Sequence, residues 1–205
     1  GREYRLYLPL YNKVEWMEIG VKNNSSFSLL NARKEKPIVV YGTSIAQGAC
    51  ASRPGMAWAS ILGRRMDRPI INLGFDGNGK MQSEVVDLIS EIESKIFIID
   101  CIPNLTKNDY GWDGIDNEKQ FENLIINTIK KIRSKHPHTA ILLSEHAGYN
   151  DHNIKTSDYR EEFNIPNQIQ KKVFMLLKKN GYENLFYLSE KEIGFSIEET
   201  VDGIH

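Results

Sequence analysis

The spacing of hydrophobic positions changes at Pro37, and this change divides the chain into two parts. Before it, residues 4–21 (YRLYLPLYNKVEWMEIGV) alternate between apolar and polar side chains, with a turn at YNK between two runs. Alternation is the period of a half-buried strand, so this part predicts a β-hairpin or two strands of a small sheet. Because a hairpin alone is marginal in water, we expect it to pair with or pack on further structure.

After Pro37, short apolar runs recur, and longer stretches with helical spacing separate them. The predicted strands are 37–41, 69–73, 96–100, 139–144 and 184–188, and the predicted helices are 55–66, 83–93, 117–135 and 160–180. Apolar strands joined by helices are typical of a parallel sheet that is covered on both faces. We therefore predict an α/β fold: a three-layer α/β/α sandwich with a five-stranded parallel sheet in the order 2-1-3-4-5. A short β segment with its linker (residues 1–34) precedes this domain (35–205).

The charge balance argues against two classes of partner. Lysine and arginine total 26 and aspartate and glutamate total 27, which gives a net charge of −1 without a long run of one sign. Nucleic acids and anionic membrane surfaces require a concentrated basic patch, so we expect neither as a partner. No apolar run approaches the ~20 residues that cross a bilayer, so we expect no membrane span.

The residues that most often bind metals show no ligand spacing. Cys50 and Cys101 are the only cysteines and form no CxxC motif, and we expect both to be buried free thiols. His136, His138 and His152 pair with no cysteine or carboxylate at the spacing of a zinc site. The chain also lacks the glycine patterns of nucleotide-binding loops. We expect no metal and no organic cofactor.

Polar and small residues follow each predicted strand. In chain order they are Gly42-Thr43-Ser44, then residues 74–79 (GFDGNG), Asn104 shortly after Asp100, Glu145-His146, and Asp202 with His205. Parallel strands end at one edge of their sheet, and ligands of such open sheets bind beyond that edge. We therefore expect these residues to lie close together.

This set of side chains fits acyl transfer. A serine hydroxyl needs a base to become a nucleophile, and His205 is the candidate base for Ser44. Asp202, three residues earlier, is suited to orient the imidazole and to stabilise its charged form. The backbone N–H groups of Ser44 and Gly74 and the side-chain amide of Asn104 are candidate donors to the oxyanion.

Each of these residues has a simpler explanation when it is taken alone. A serine after a strand is commonly a helix N-cap, an asparagine after a strand is commonly a turn residue, and Asp202 is equally compatible with a surface carboxylate. The order of the groups along the chain, each after a different strand, favours catalysis over these explanations.

Five further residues are candidates for substrate binding. Glu145 and His146 could shape the substrate pocket or supply a rival base, and Asp76 and Asn78 could contact substrate or simply form a turn. Trp112, in the loop YGWDGID, could form an aromatic wall above the site or pack locally.

Four segments resemble the sequence blocks of the SGNH hydrolases, also called GDSL-type esterases. The segments are YGTSIAQG with Ser44, NLGFDGNG with Gly74, DCIPN with Asn104, and DGIH with Asp202 and His205. The resemblance covers residues 37–205. It implies a serine esterase that acts through an acyl-enzyme on small acyl esters, such as acetyl esters of carbohydrates. It also implies a preceding β-rich domain and favours a secreted or periplasmic location.

The sequence departs from the family pattern at two places. Thr43 stands where most of the superfamily has Asp, and residues 102–105 (IPNL) replace the usual Gly-x-Asn-Asp. The family continues after the histidine with proline and a helix, so we expect either that the chain is trimmed or that its tail is disordered. A non-catalytic carbohydrate- or ligand-binding module on the same fold is the alternative function, as is hydrolysis of thioesters or phosphoesters. The sequence leaves the oligomeric state open.

Overall fold

A computed structural model of the chain describes residues 2–106, 118–149 and 157–205. In these residues five parallel strands form one sheet in the order β2-β1-β3-β4-β5. The strands are β1 (Ile38–Gly42), β2 (Ile70–Gly74), β3 (Ile96–Asp100), β4 (Ala140–Ser144) and β5 (Leu185–Leu188). The predicted parallel sheet and its strand order are confirmed.

Helices connect the strands and cover both faces of the sheet. They are α1 (Ser44–Gln47), α2 (Trp58–Arg65), α3 (Ser83–Ile89), α4 (Glu118–Lys135), α5 (Ser157–Lys179) and α6 (Glu190–Ile193). Helices α1 and α2 lie on one face, where Val40 and Ala46 are fully buried. Helices α3, α4 and α5 cover the other face, where Phe97, Ile129 and Leu143 belong to the larger apolar core. The three-layer α/β/α prediction is confirmed.

The strand order fixes where a ligand has access to the sheet. From β1 the chain crosses to β2 at one edge of the sheet and then returns to β3 on the other side of β1. Gly42, at the end of β1, is therefore in register with Gly74 on one side and with Asp100 on the other. The connections leave β1 and β3 toward opposite faces, and the gap beyond their carboxyl ends is where open α/β sheets bind ligands.

The segment before β1 differs from its prediction. The structure assigns no strand to residues 2–37, so the hairpin predicted over residues 4–21 does not form here. Most side chains of both alternating sets are exposed, Trp16 at 77% and Met17 at 53%, whereas Tyr7 and Leu10 are half-buried. Leu10 accepts a hydrogen bond from Gln47 Nε2 through its carbonyl, at 2.7 Å, and this ties the segment to α1. The boundary at residue 34 stays a prediction.

Candidate active site

Ser44 begins α1 directly after β1, and Thr43, not Ser44, caps this helix. The side-chain oxygen of Thr43 accepts a hydrogen bond from Ile45 N at 3.3 Å, as N-cap residues do. Because the capping position is already filled, the hydroxyl of Ser44 is available for another partner.

Helix α1 has only four residues, and neighbouring elements hold it in place. Asn72 Nδ2 donates to Ala46 O at 2.9 Å, and Trp58 Nε1 donates to Ile45 O at 2.8 Å. The end of β2 also packs directly against the helix, since a Cβ on Gly74 would overlap the backbone nitrogen of Gln47. The sequence pattern alone did not predict this role of Asn72. The feature of the sequence that points to it is the single amide side chain within the otherwise apolar strand IINLG.

The histidine lies in a loop that its own aspartate closes. Asp202 Oδ1 accepts hydrogen bonds from Ile204 N at 3.0 Å and from His205 N at 2.6 Å. The carbonyl of His205 accepts from Thr200 Oγ1 at 2.8 Å. Gly203, at φ +86°, supplies the left-handed conformation that this tight turn requires. The short DGIH segment therefore fixes the relative positions of its carboxylate and its imidazole.

Ser44, His205 and Asp202 form a continuous chain of hydrogen bonds. His205 Nε2 lies 2.9 Å from Ser44 Oγ, and His205 Nδ1 lies 2.7 Å from Asp202 Oδ2. Partial burial of Asp202 by itself raises its pKa, but the hydrogen bonds from His205 and Ile204 outweigh this effect and hold the pKa below its usual range. The ionised carboxylate favours the imidazole tautomer that carries its proton on Nδ1, which leaves Nε2 free to accept a proton from the serine.

The predicted oxyanion donors differ in their availability. Asn104 is buried, and its Oδ1 accepts a hydrogen bond from Gly79 N at 3.1 Å. Its Nδ2, in contrast, donates to no acceptor among the described residues. Ser44 N also donates to no described acceptor. Gly74 N, by contrast, already donates to Asn72 Oδ1 at 2.9 Å. Gly77, at φ +63° in the same loop, donates its N–H to no acceptor in the described part of the chain.

Two of the predicted substrate-binding residues hold structure together. Glu145 is buried and accepts hydrogen bonds from Tyr187 OH at 2.7 Å and from Glu190 N at 2.6 Å, which joins β4 to β5 and α6. His146 is fully buried and stacks on Phe163 with ring centroids 4.6 Å apart. Burial lowers the pKa of His146 to about 3, so this imidazole is neutral at physiological pH.

The other candidates lie on exposed loops or outside the described residues. Asp76 is exposed at the tip of the loop that follows β2. Asn78 is also exposed, and its Oδ1 accepts from Gln82 Nε2 at 2.7 Å. Trp112 lies outside the described residues. The roles of these residues in substrate binding stay predictions.

The prediction that both cysteines are buried is wrong for Cys50, whose thiol is exposed, and is confirmed for Cys101. Cys50 follows the left-handed cap of α1 at Gly48, and its own φ of +62° turns it toward the histidine loop. Its Sγ donates to Asp202 Oδ2 at 3.5 Å. Partial burial, together with the charge of Asp202, raises the pKa of this thiol.

This combination of fold and site defines a three-layer α/β/α protein with a serine, hydrogen-bonded to a histidine, at the switch point of its parallel sheet. The sequence model described as the GDSL-like lipase/acylhydrolase family matches residues 35–205, and the model for the N-terminus of SGNH hydrolase-type esterases matches residues 1–27. The chain belongs to the GDSL-like lipase/acylhydrolase family. No curated protein matches the chain.

Solved structures share this fold. A putative GDSL-like lipase from Bacteroides ovatus is 33% identical with a TM-score of 0.83, over 97% of this chain and 56% of that chain. The salicylyl-acyltransferase SsfX3 of a tetracycline biosynthetic pathway is 22% identical with a TM-score of 0.68, over 83% and 48%. A family two carbohydrate esterase from Clostridium thermocellum, in complex with cellohexaose, is 15% identical with a TM-score of 0.58, over 79% and 56%.

The chain therefore spans about half the length of these structures. Within the described residues, no helix has the combination of length and apolar character that a membrane crossing requires.

Proposed function

We propose that the chain is a serine esterase that cleaves small acyl esters through an acyl-enzyme. One observation carries the proposal: Ser44 Oγ, the imidazole of His205 and the carboxylate of Asp202 are joined by hydrogen bonds of 2.9 and 2.7 Å. A serine bonded to a base, which is in turn oriented by a carboxylate, is the arrangement that activates a hydroxyl nucleophile.

The reaction has two proton transfers in each half. Ser44 Oγ attacks the ester carbonyl carbon while His205 Nε2 takes the hydroxyl proton. The tetrahedral intermediate expels the alcohol, whose oxygen receives that proton from Nε2, and the acyl group stays on Ser44. Water then attacks the acyl-enzyme with His205 again as the base, and collapse of the second intermediate releases the acid and restores the serine. Asp202 stabilises the imidazolium at both steps.

The negative charge on the carbonyl oxygen requires donors that are already in place. Ser44 N and Asn104 Nδ2 are the first two, because neither donates to a described acceptor. Gly74 N, the third predicted donor, must first give up its bond to Asn72 Oδ1. Gly77 N–H, in the loop that follows, is the alternative third donor. Preorganised donors of this kind each contribute ~10²–10³ to turnover.

Acetyl esters of carbohydrates are the substrates that we propose first. The family two carbohydrate esterase with bound cellohexaose shares the fold, although its low identity supports the fold alone. Phe75 N donates to Gly42 O at 2.9 Å, so the loop that contains Asp76 and Asn78 starts next to the end of β1. The exposed polar side chains of this loop suit a polar alcohol portion more than a long acyl chain.

Hydrolysis of p-nitrophenyl acetate by the chain and by its Ser44→Ala variant tests the proposal. We expect turnover that falls to the uncatalysed background in the variant, whereas Ser134→Ala, at an exposed serine of α4, keeps the full rate. Labelling by a fluorophosphonate adds a second readout, because only an activated serine reacts. A panel of acetylated sugars, thioesters and phosphoesters then compares leaving groups.

The non-catalytic binding module is the competing function. If Ser44→Ala and the unaltered chain are equally inactive, and neither reacts with the fluorophosphonate, the esterase proposal is wrong and the binding module replaces it.

A further inference from the structure

The thiol of Cys50 lies beside Asp202 and His205 but outside the proton-transfer chain that links them to Ser44. Its Sγ lies 3.5 Å from Asp202 Oδ2 and 4.0 Å from His205 Nδ1. The thiol, the carboxylate and the imidazole thus offer three ligand atoms that all lie within 4.8 Å of one another. Acyl transfer as proposed above makes no use of this thiol.

We propose that Cys50, Asp202 and His205 form a site for Zn²⁺, and that zinc bound there blocks the esterase. A thiolate, an imidazole nitrogen and one carboxylate oxygen are the ligand types that zinc prefers, and three protein ligands with one water are typical of accessible zinc sites. Cys50 is exposed and the side chain of Asp202 is 39% exposed, so water has access to the fourth position. The blocking part of the proposal rests on the proposed esterase function, but the binding part does not.

The separations of the three atoms are close to those of a zinc site. Tetrahedral zinc bonds of about 2.0–2.3 Å place neighbouring ligand atoms about 3.3–3.6 Å apart. The distance from Cys50 Sγ to Asp202 Oδ2, 3.5 Å, already has this value. Sγ must move nearer to His205 Nδ1, from 4.0 Å, and Nδ1 must move away from Oδ2, from 2.7 Å. Side-chain rotations that move these atoms by less than about 1 Å are sufficient to reach the zinc geometry, and such displacements are on the order of thermal motion.

The proton balance explains why zinc at this position stops turnover. Zinc bonds to the thiolate, and the Cys50 thiol proton passes to solvent. Zinc also bonds to the Nδ1 lone pair of His205, so the single proton of the neutral imidazole moves from Nδ1 to Nε2. Nε2 then carries hydrogen and donates toward Ser44 Oγ, so it no longer accepts the hydroxyl proton. No electron is transferred, and removal of zinc restores the original tautomer.

The ligand set also predicts which ions act. Mg²⁺ and Ca²⁺ prefer an all-oxygen environment, and one carboxylate is insufficient for them. Thiolate and imidazole ligands select zinc and its thiophilic neighbours. We therefore expect inhibition by Zn²⁺, reversal by EDTA, and no effect of Mg²⁺ at the same concentration.

Isothermal titration of the chain with ZnCl₂ tests binding independently of any ester. We expect one zinc per chain, and Cys50→Ser should weaken its binding by at least about tenfold, since a lost ligand costs no less than a lost outer contact. Cys101→Ala, which removes the buried thiol, should bind zinc like the unaltered chain. Co²⁺ in place of zinc should show a thiolate-to-metal absorption band that Cys50→Ser lacks.

Turnover of p-nitrophenyl acetate with added ZnCl₂ tests the blocking step. Cys50→Ser should keep the basal rate and lose the sensitivity to zinc. Absence of stoichiometric zinc binding, or equal binding by Cys50→Ser, overturns the site. Binding that leaves turnover unchanged overturns the blocking step alone. A chain that hydrolyses no ester refutes the proposed function, whereas the titration and the cobalt spectrum still decide on the metal site.

Discussion

His205 Nε2 and Ser44 Oγ lie 2.9 Å apart, although 161 positions separate the two residues in the sequence. No local interaction brings them together. Ser44 is placed by the end of β1 and by α1, whereas His205 is placed by a turn after β5, at the far side of the sheet. The shared geometry therefore depends on every strand between them.

Replacing Asp202 with asparagine separates the two roles of this carboxylate, which are to hold the loop through Oδ1 and to orient the imidazole of His205 through Oδ2. Asp202→Asn keeps an oxygen for the N–H groups of Ile204 and His205, so we expect the melting temperature to change little. The amide, however, donates to His205 Nδ1 and favours the tautomer that cannot accept a proton from Ser44. We expect kcat to fall by ~10⁴. A kcat within tenfold of the unaltered chain would show that the carboxylate does not orient the imidazole.

The nearly isosteric variant Asn104→Asp tests whether the side-chain amide of Asn104 donates to the oxyanion. Asn104→Asp keeps an acceptor for Gly79 N but removes both donors, and we expect kcat to fall by ~10²–10³ or more while the structure persists. Asn104→Ala also leaves the buried Gly79 N–H unpaired, which should cost an additional ~1–3 kcal/mol of unfolding free energy. Steady-state kinetics and urea unfolding of both variants distinguish a donor from a turn residue, because a turn residue alone would lower stability and leave kcat unchanged.

Thr43 should contribute to stability through its side-chain oxygen. Thr43→Val has nearly the same shape but lacks the acceptor for Ile45 N, and we expect the free energy of unfolding to fall by ~1 kcal/mol. Thr43→Ser keeps the acceptor and serves as the matched control. Urea unfolding followed by circular dichroism measures both, and equal stability of the two variants would show that the cap is not formed in solution.

Gly74 and Gly77, both in the segment NLGFDGNG, should differ in how much stability is lost when each is replaced by alanine. A Cβ on Gly74 overlaps the backbone of α1, so Gly74→Ala should lower the stability by about 3 kcal/mol or more, because a backbone segment must move. At Gly77 no atom lies within 4 Å of the added Cβ, and only the positive φ opposes the substitution, at roughly 1–2 kcal/mol. Thermal unfolding compares the pair, and the opposite order would argue against the close approach of β2 to α1.

Asp100, at the end of β3, gives a pH dependence with a definite sign. Burial raises its pKa to about 7, against an opposing hydrogen bond with Ser144. The native state therefore holds a proton that the unfolded chain has lost, and this group makes the protein less stable as pH rises from about 4 to about 7. Asp100→Asn removes the titration, so its gain in unfolding free energy should grow over this range, to at most about 4 kcal/mol.

Urea unfolding at pH 5 and pH 8 measures this difference. The prediction is wrong if Asp100→Asn and the unaltered chain show the same change in stability between the two pH values.

The fold follows from the sequence because each strand from β1 to β5 is a short, mainly apolar run between longer stretches with helical spacing. The run IVVY is buried on both faces, and IFIID is buried or half-buried throughout. The predicted bounds of the five strands differ from the observed ones by at most one residue. The segment over residues 4–21 was misread because alternation records a preference for strands but not the partner that a strand needs. Most of its apolar side chains stay exposed, and the preference alone forms no sheet.

The site was predictable to the extent that residue type and strand order determine it. Ser44, Asp202 and His205 were singled out together, and the structure has them in hydrogen-bond contact. Side-chain contacts that cross between elements were not predictable. Glu145 binds Tyr187 and Glu190, which are more than 40 residues later, and the exposed thiol of Cys50 faces Asp202, 152 positions away.

The attachment of α1 to β2 through Asn72 and Gly74 has a consequence for protein engineering. The segment GTSIAQG, transplanted into another parallel sheet, would carry the nucleophile but not the contacts that aim it. A recipient scaffold would need the asparagine and glycine of the neighbouring strand in the same register, because a helix of four residues has almost no stability of its own. The transferable unit is thus a pair of adjacent strand ends, with the serine on one and its supports on the other.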